Sequence, residues 1–512
     1  MKVLTGSQMM ELDRRAQELG LDVLVLMENA GRSVAQALAE RLALKGKRVV
    51  VLAGKGNNGG DGLVAARHLA SLGAEVRAFI LAERGQLSPP AERNAAILEG
   101  AGATVEYLPD EASLASLEPQ LARAEVVVDA LLGLGISGPV RGYYARAIEL
   151  INASGAFIVA VDVPSGLEAE TGHVEGPCVR AELTVTMGRP KLGLLLYPGR
   201  EFAGEIVVGE VGYPCSLIEG FDSKLELIDH ELVQRLLPRR RAYSHKGDYG
   251  RIFVLAGSRG YTGAAALTAE AALRAGAGLV TLGIPASLNP ILEEKLTEVI
   301  TRPLPEADGS LAYAALEEIK RALQAQDILA LGPGLGRHPE TARLVKDLVR
   351  QAGLPTVIDA DGLNNLSDEP ELIKKAEGPL VLTPHPGELS RLNKRAIAEI
   401  EADRVGVARA FAAEYKVVLA LKGVPTVVAL PDGRCYLNST GNSGLASGGS
   451  GDVLTGLIAG LMGQGLEPWQ AAVCGVFLHG LVADRLKPET GERGMIAGDL
   501  VRKLPQVLKE FE

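Results

Sequence analysis

Apolar residues recur along this chain at two spacings, one helical and one strand-like, and their alternation divides it into β/α units. Thr5-Gly6-Ser7-Gln8 has the form of a capping box opening an amphipathic helix through about Leu19, and a second helical period runs from Val23 to Leu42. Arg48 to Ala53 is a β-branched run. A glycine loop follows it, Leu63 to Leu72 has helical period, and Glu75 to Leu81 is apolar again. Val126-Val127-Val128-Asp129 and Ile158-Val159-Ala160-Val161-Asp162 each end in a carboxylate, as expected where a parallel sheet presents residues at its carboxyl edge. The pattern predicts a three-layer, Rossmann-like α/β domain closing near residue 220.

From Phe221 to Tyr243 the chain turns more charged and carries Leu237-Pro238 and Arg239-Arg240-Arg241. This stretch reads as a boundary at about residue 225, its arginines solvated or, alternatively, contacting phosphate. The core pattern then restarts: Ile252 to Ala256, Ile328 to Leu331, Thr356 to Asp359, Leu380 to Thr383 and Val417 to Lys422 are short apolar strands separated by helical segments. A second doubly wound α/β domain is predicted, giving domains 1–225 and 226–512. A chain of 512 residues exceeds what one hydrophobic core supports, which agrees with two domains. Neither half repeats the other.

Composition narrows the partners. A net charge of −10 offers no global field for nucleic acid or anionic lipid, so neither is expected as a partner. Cys178, Cys215, Cys435 and Cys474 lie far apart with no CxxC spacing, which argues against a disulfide framework and a zinc site and fits a reducing, cytoplasmic location. No stretch has signal-peptide or membrane-spanning character. Gly456 to Gly465 is glycine-rich enough to pack closely against a second copy, and a homo-oligomer is expected, although the same residues suit a buried helix within one domain.

Two glycine-rich loops carry the chemistry. In Gly54-Lys55-Gly56-Asn57-Asn58-Gly59-Gly60-Asp61-Gly62, backbone N–H groups freed of Cβ atoms can approach a phosphate, with a helix starting near Leu63 adding its dipole. A plain tight turn is the alternative. Asp129 precedes Gly133-Leu134-Gly135-Ile136-Ser137-Gly138-Pro139, and Asp162 precedes Val163-Pro164-Ser165-Gly166; strand-end aspartates of this kind can also be caps or turn formers. Oxygens from Asn58, Asp129 and Ser165 would suit a hard cation. In the second half, Gly448-Gly449-Ser450-Gly451-Asp452 brings small residues and a helix N-terminus toward a terminal phosphate. Asp452 stands where it could accept a proton from an attacking hydroxyl, or merely cap the helix. Gly332-Pro333-Gly334-Leu335-Gly336, Asp359-Ala360-Asp361-Gly362, His385-Pro386-Gly387-Glu388 and Lys422-Gly423-Val424-Pro425-Thr426 stand at predicted strand ends and complete a nucleotide site.

The strings GKGNNGGDG, VVDALLGLG, VDVPSGL and GRPKLGLLLYPG make residues 1 to about 220 resemble the NAD(P)H-hydrate epimerase family. The resemblance implies that Asn57, Asn58, Gly59, Gly60 and Asp61, with Gly133, Leu134, Gly135, Ile136, Ser137, Gly138 and Pro139, hold the dinucleotide. It also implies that Asp162 contacts the hydrated nicotinamide and that Asn58, Asp129 and Ser165 ligate potassium. Two positions depart from the family's pattern: Leu134, where threonine is common, and Glu170, where aspartate is usual. The second-half motifs, with His245-Lys246-Gly247-Asp248-Tyr249-Gly250, resemble the ADP-dependent NAD(P)H-hydrate dehydratase family of the ribokinase-like group, from about residue 227 onward. This resemblance implies that Lys422, Gly423, Val424, Pro425, Thr426 and Gly451 bind ADP with magnesium, and that Ala264, Gly334, His385 and Asp452 contact hydrated NADH or NADPH. A small-molecule kinase with a nucleotide-sensing first half, and a first half that only binds, are the competing readings.

Overall fold

The computed structural model describes every residue of the chain except Ser137. Lys2–Ser223 forms one compact unit, and Lys224–Glu512 with Met1 forms the other. In the first unit, Thr5 and Gln8 make the capping box, and the helix it opens is Gly6–Glu18. Strands β1 (Arg48–Ala53), β2 (Glu75–Ile80), β3 (Thr104–Tyr107), β4 (Val126–Ala130), β5 (Phe157–Val161), β6 (Leu183–Met187) and β7 (Glu205–Gly209) pair in the order β3-β2-β1-β4-β5-β6-β7. Every neighbouring pair is parallel.

Side chains alternate across this sheet as the two-residue period requires. Val49, Val51 and Val128 meet Leu26, Val34 and Leu63 on one face, while Val50, Leu52 and Val127 meet Ile148, Ile151 and Leu121 on the other. The three layers follow. The strand order reverses between β1 and β4, which opens a crevice at their carboxyl ends, where sheets of this kind bind ligands.

One expectation is corrected at that crevice. The helix after β1 begins at Asn57, with Gly56 as its N-cap, rather than near Leu63. Its glycines are sites of close packing: a Cβ on Gly59 would lie 1.9 Å from the Gly54 carbonyl oxygen, and one on Gly62 would lie 2.4 Å from the Ala130 Cβ. Low helix propensity, about 1 kcal/mol per glycine, is outweighed by this backbone approach.

The second unit holds strands β8 (Leu225–Ile228), β9 (Arg251–Leu255), β10 (Leu279–Pro285), β11 (Ile300–Leu304), β14 (Ile328–Leu331), β15 (Thr356–Ile358), β16 (Leu380–Leu382), β17 (Val418–Leu421), β18 (Val427–Ala429) and β19 (Cys435–Asn438). Their order is β11-β10-β9-β14-β15-β16-β17-β18-β19-β8, and β12 (Glu306–Ala307) with β13 (Ser310–Leu311) forms a separate hairpin. The ladder is parallel from β11 to β17 and turns antiparallel at β18 and β19.

The charged stretch after Phe221 is therefore not a linker throughout. It supplies edge strand β8, paired with β19, and a helix His230–Leu236 capped by Asp229. Half-buried edge strands carry the charges that made it look solvated. Arg240 of the arginine run stacks its guanidinium 4.1 Å from the Tyr249 ring centroid and donates to the Gly276 carbonyl.

Helix Ser450–Gly463 packs its glycines on helix Thr262–Arg274 of the same unit: a Cβ on Gly456 would lie 2.1 Å from the Thr268 carbonyl oxygen, and one on Gly460 would lie 2.5 Å from that of Ala272. These glycines are thus occupied inside the domain and lend no support to a homo-oligomer. Among the described residues no helix is long and apolar enough to cross a membrane.

Gly456→Ala should force these two helices apart and cost roughly 1–3 kcal/mol, the usual penalty of overpacking. Urea unfolding of the variant should show a lowered midpoint with little change in slope.

Candidate active sites

In the first unit, Asp162 follows β5 with φ 67°, a left-handed conformation uncommon for a residue with a Cβ. Its carboxylate accepts from the Met187 N–H at 2.9 Å and from the ammonium of Lys191, which is fully buried and also donates to the Met187 carbonyl at 2.7 Å. Asp162, Lys191, Asp61, Asp13, Tyr213 and Leu134 line one pocket. Burial and the neighbouring carboxylates of Asp162 and Asp13 push the Asp61 carboxyl well above the usual range. Burial also raises Asp13, opposed by the hydrogen bond from the Tyr213 hydroxyl.

Beside this pocket, Asn58 and Ser165 converge on Leu132, and Asp129 bonds to Ser165 and to the neighbouring Leu131. The Asn58 amide donates to the Leu132 carbonyl at 2.9 Å, and the Ser165 hydroxyl accepts from the Leu132 N–H at 2.9 Å. Asp129 is fully buried and accepts from the Ser165 hydroxyl at 2.6 Å, the Ser165 N–H at 2.8 Å and the Leu131 N–H at 3.2 Å. Desolvation pushes its carboxyl up to about 6. Asp129 has no cationic side chain among its described hydrogen-bond partners, so the set is an oxygen cluster around a buried acid, donor chemistry that suits a hard cation.

Asn57, Asn58, Gly59, Gly60 and Asp61 form the first turns of the helix after β1. Gly133 packs on the Asn58 side chain, Gly135 and Gly138 are open to solvent, Ile136 and Pro139 lie on the same loop, and Ser137 lies outside the described residues. Glu170, where the chain departs from the family's pattern, accepts from the Ser7 N–H at 2.9 Å and the Ser7 hydroxyl at 3.1 Å. Lys191, Asp13 and Tyr213 were not among the residues expected from the motifs. Only Lys191 left a signal, a lysine at the head of the apolar run LGLLLY.

In the second unit, Asp452 is the acidic residue in the first turn of helix Ser450–Gly463, whose N-cap is Gly449 (φ 92°). Lys422, at the end of β17, reaches the helix terminus: a Cβ on Gly451 would lie 3.4 Å from its Nζ. The ammonium is held by Asp359 at 2.6 Å and stands 3.8 Å from Glu388, while Thr455 donates to the other Asp359 oxygen at 2.8 Å. Burial, and then the negative Asp359, push the Asp452 carboxyl up to about 7, with Lys422 opposing.

The remaining predicted residues gather around this centre. Gly334 (φ 63°) abuts Ala264, whose Cβ would lie 3.0 Å from a Cβ on the glycine. Asp361 accepts from the Gly336 N–H at 2.9 Å, joining that loop to the Asp359 loop. His385 caps helix Pro386–Asn393 through Nδ1, and its N–H donates to Glu388 at 2.8 Å. Desolvation, with Lys422 and Arg391 nearby, lowers its pKa, so its exposed imidazole stays neutral. Gly423, Val424, Pro425 and Thr426 continue from Lys422, with the Val424 side chain 66% exposed and the Thr426 hydroxyl donating to the Gly423 carbonyl at 3.1 Å. Asp359, Asp361 and Glu388 were visible only as parts of strand-end motifs; their pairing with Lys422 was not. Among the described residues, no group of three or more His, Cys, Asp or Glu is disposed to hold a metal ion.

One unit has a crevice at the carboxyl edge of a parallel sheet, and the other has a glycine turn at a helix N-terminus with Lys422 and Asp452 beside it, two places of the kind that receive nucleotides. The model for NAD(P)H-hydrate dehydratase matches residues 252–506, and that for YjeF-related protein N-terminus matches residues 23–193. The chain is 45% identical over its full length to 97% of the bifunctional NAD(P)H-hydrate repair enzyme Nnr of Moorella thermoacetica, and 45% identical over 99% of its length to 96% of that of Thermofilum pendens. It is also 36% identical to a solved ADP/ATP-dependent NAD(P)H-hydrate dehydratase from Bacillus subtilis, co-crystallized with ATP/Mg2+, covering 56% of this chain and 99% of that one at a TM-score of 0.49. The chain belongs to the family of bifunctional NAD(P)H-hydrate repair enzymes.

The raised Asp452 carboxyl has a stability consequence. Its native value of about 7 lies above its ordinary 3.8, so the folded protein holds the extra proton between them and loses stability as pH rises through that window. Asp452→Asn removes this loss. Thermal melts at about pH 5 and about pH 8 should show the variant gaining on the wild-type protein at the higher pH. An unchanged difference would refute the shift.

Proposed function

We propose that this protein repairs hydrated NADH and NADPH in two steps, the Lys2–Ser223 unit interconverting the R and S hydrates and the Lys224–Glu512 unit dehydrating the S form at the expense of ADP. The observation that carries this reading is the Asp452 carboxyl, half-desolvated beside Lys422 at a glycine turn. A carboxylate at a helix N-terminus built for phosphate is repulsive to its ligand unless it removes a proton.

In dehydration Asp452 takes the proton of the C6 hydroxyl as that oxygen attacks the β-phosphorus of ADP, and AMP departs. The ring nitrogen's electron pair then expels phosphate, and loss of a proton from C5 restores the double bond. The products are NADH or NADPH, AMP and phosphate. Lys422, Gly423, Val424, Pro425, Thr426 and Gly451 hold the nucleotide, with Lys422 positioned against the departing charge. Ala264, Gly334 and His385 hold the hydrated coenzyme. Magnesium accompanies the phosphates and supplies charge neutralisation.

In epimerisation the C6 hydroxyl leaves as water and returns on either face. Asp61, kept protonated by burial and by the nearby carboxylates, donates to the leaving oxygen. Asp162 faces the iminium-like ring, its charge fixed by Lys191. Asn58, Asp129 and Ser165 would hold potassium, which would supply a positive charge beside the buried acid and the dinucleotide loop Asn57–Asp61 and Gly133–Pro139.

Two substitutions, assayed on hydrated NADH with and without ADP, test the two assignments separately. Asp452→Asn should cut dehydration by about 10² to 10⁴ and leave epimer exchange untouched. Wild-type dehydration should lose rate on the acid side of an apparent pKa near 7, and that limb should vanish in the variant. Asp162→Ala should abolish epimer exchange and leave dehydration of the S hydrate intact. Accumulation of a phosphorylated product would instead indicate a kinase, and an unchanged epimer ratio in the wild-type protein a binding module.

A further inference from the structure

Arg404 opens helix Arg404–Tyr415 and is only 5% exposed, yet none of the motifs includes it. Its Nη2 donates to the carbonyls of Lys422 at 2.9 Å, Pro425 at 3.2 Å and Leu421 at 3.3 Å. Its Nη1 donates to Glu401 at 2.6 Å. A single guanidinium thus gathers three carbonyls from the segment that runs from the end of β17 through Pro425. The segment is shaped around it: Gly423 has φ 141°, and a Cβ there would lie 2.3 Å from Nη2.

Other support for this loop lies at its two ends: the Lys422 ammonium is held by Asp359 at 2.6 Å, and the Thr426 carbonyl accepts from the Asn438 N–H at 2.9 Å. Lys422 N–H donates to the Pro384 carbonyl at 2.9 Å and fixes its first residue, but Val424 is mostly exposed. The Thr426 hydroxyl bond to Gly423 is internal to the loop. A buried cation whose acceptors are mostly backbone carbonyls is costly to desolvate, and removing it leaves those carbonyls unpaired. Such a group sets a conformation more effectively than it adds stability.

We propose that Arg404 is a positioning residue for the adenine nucleotide: by clamping the Leu421, Lys422 and Pro425 carbonyls it holds the Lys422–Thr426 loop in the shape that receives ADP. The inference rests on the reading of that loop as the nucleotide site. Arg404 touches neither reacting atom, so its loss should appear in nucleotide affinity and not in the chemical step.

The test uses the full chain, with ADP as the titrant in calorimetry and as the varied substrate in dehydration. Arg404→Lys keeps the charge but not the fork of donors; Glu401→Gln loosens the guanidinium from its exposed side and leaves the buried carbonyls paired. Arg404→Lys should raise Kd and KM for ADP about tenfold, the scale of one lost charged hydrogen bond. Its kcat at saturating ADP, its KM for the hydrated coenzyme and its epimerisation rate should stay within about twofold of wild type, as expected when only nucleotide binding is weakened. Glu401→Gln should shift the ADP constants in the same direction by less. Wild-type ADP constants in both variants, or a fall in kcat with KM unchanged, overturns the clamp while the nucleotide reading stands. Failure of the wild-type chain to bind ADP at all overturns both.

Discussion

Gly59 stands so close to the Gly54 carbonyl that a Cβ would approach its oxygen to 1.9 Å, and Gly54 is equally close to the Leu131 carbonyl. In the second unit Gly332 has the same relation to the Asp359 carbonyl. Backbone packed directly on backbone brings strand-end loops within a hydrogen bond of one another. The crevice between β1 and β4 exists because Gly54 can lie against Leu131, whose N–H also bonds to Asp129, and the convergence of Asn58 and Ser165 on Leu132 follows one residue later. Asp359 meets Lys422 and Thr455 because its own loop is pinned to the Gly332 loop in this way. Any side chain at these glycines would separate the loops by more than a hydrogen bond can span.

On that frame the protein buries charge around both candidate sites. Lys191 is fully buried against Asp162, and Lys422 is held by a buried Asp359. Ion pairs withdrawn from water are poor sources of stability, since desolvation consumes most of their attraction. What they provide is fixed orientation. The two pairs differ in what they leave behind: Lys191 is consumed in holding a strained Asp162, whereas the Lys422 ammonium, shared among Asp359, Glu388 and the field of Asp452, remains next to Gly451. Burial, and then the negative Asp359, keep Asp452 a weak acid, and in the proposed dehydration a weak acid is a strong enough base for a hydroxyl once a phosphoryl group begins to bond to it.

Much of this was legible in the chain, for physical reasons that are local. The Thr5/Gln8 capping box, β1 and β14 depend on neighbours within a few residues, and their bounds match the expectation. A β-branched run that ends in an aspartate and is followed by a glycine-rich loop points to the carboxyl edge of a parallel sheet, so Asp129 and Asp162 could be placed before any contact was known. The Asn57–Gly62 segment was misjudged because glycine's helix propensity argues against a helix, and only a neighbouring carbonyl explains why it forms one. Edge strand β8 looked like linker because its partner β19 lies some two hundred residues away. Asp13, Tyr213 and Arg404 had no local signature at all: an aspartate in a surface-like helix, a tyrosine after a glycine and an arginine after an aspartate acquire meaning only from what the fold sets opposite them.

The stereochemistry of the substrate gives a reason for joining the two activities. In the proposed dehydration the base is a single carboxylate on the first turn of a rigid, buried helix, and the phosphoryl acceptor is fixed by the Lys422–Thr426 loop on the other side. A base and an acceptor held in fixed positions can flank the C6 hydroxyl on one face of the ring only, so such a site is stereospecific by construction and leaves the other epimer untouched. Adding a second base would not solve this, because a carboxylate on the opposite face would meet the phosphate charge without a proton to remove. The pocket proposed for epimerisation has the opposite design, with Asp13, Asp61 and Asp162 grouped around one cavity and burial raising two of them, so that protons could be given and taken there without an incoming phosphate. One arrangement discriminates between faces and the other erases the distinction. The two demands on carboxyl charge are incompatible within a single pocket.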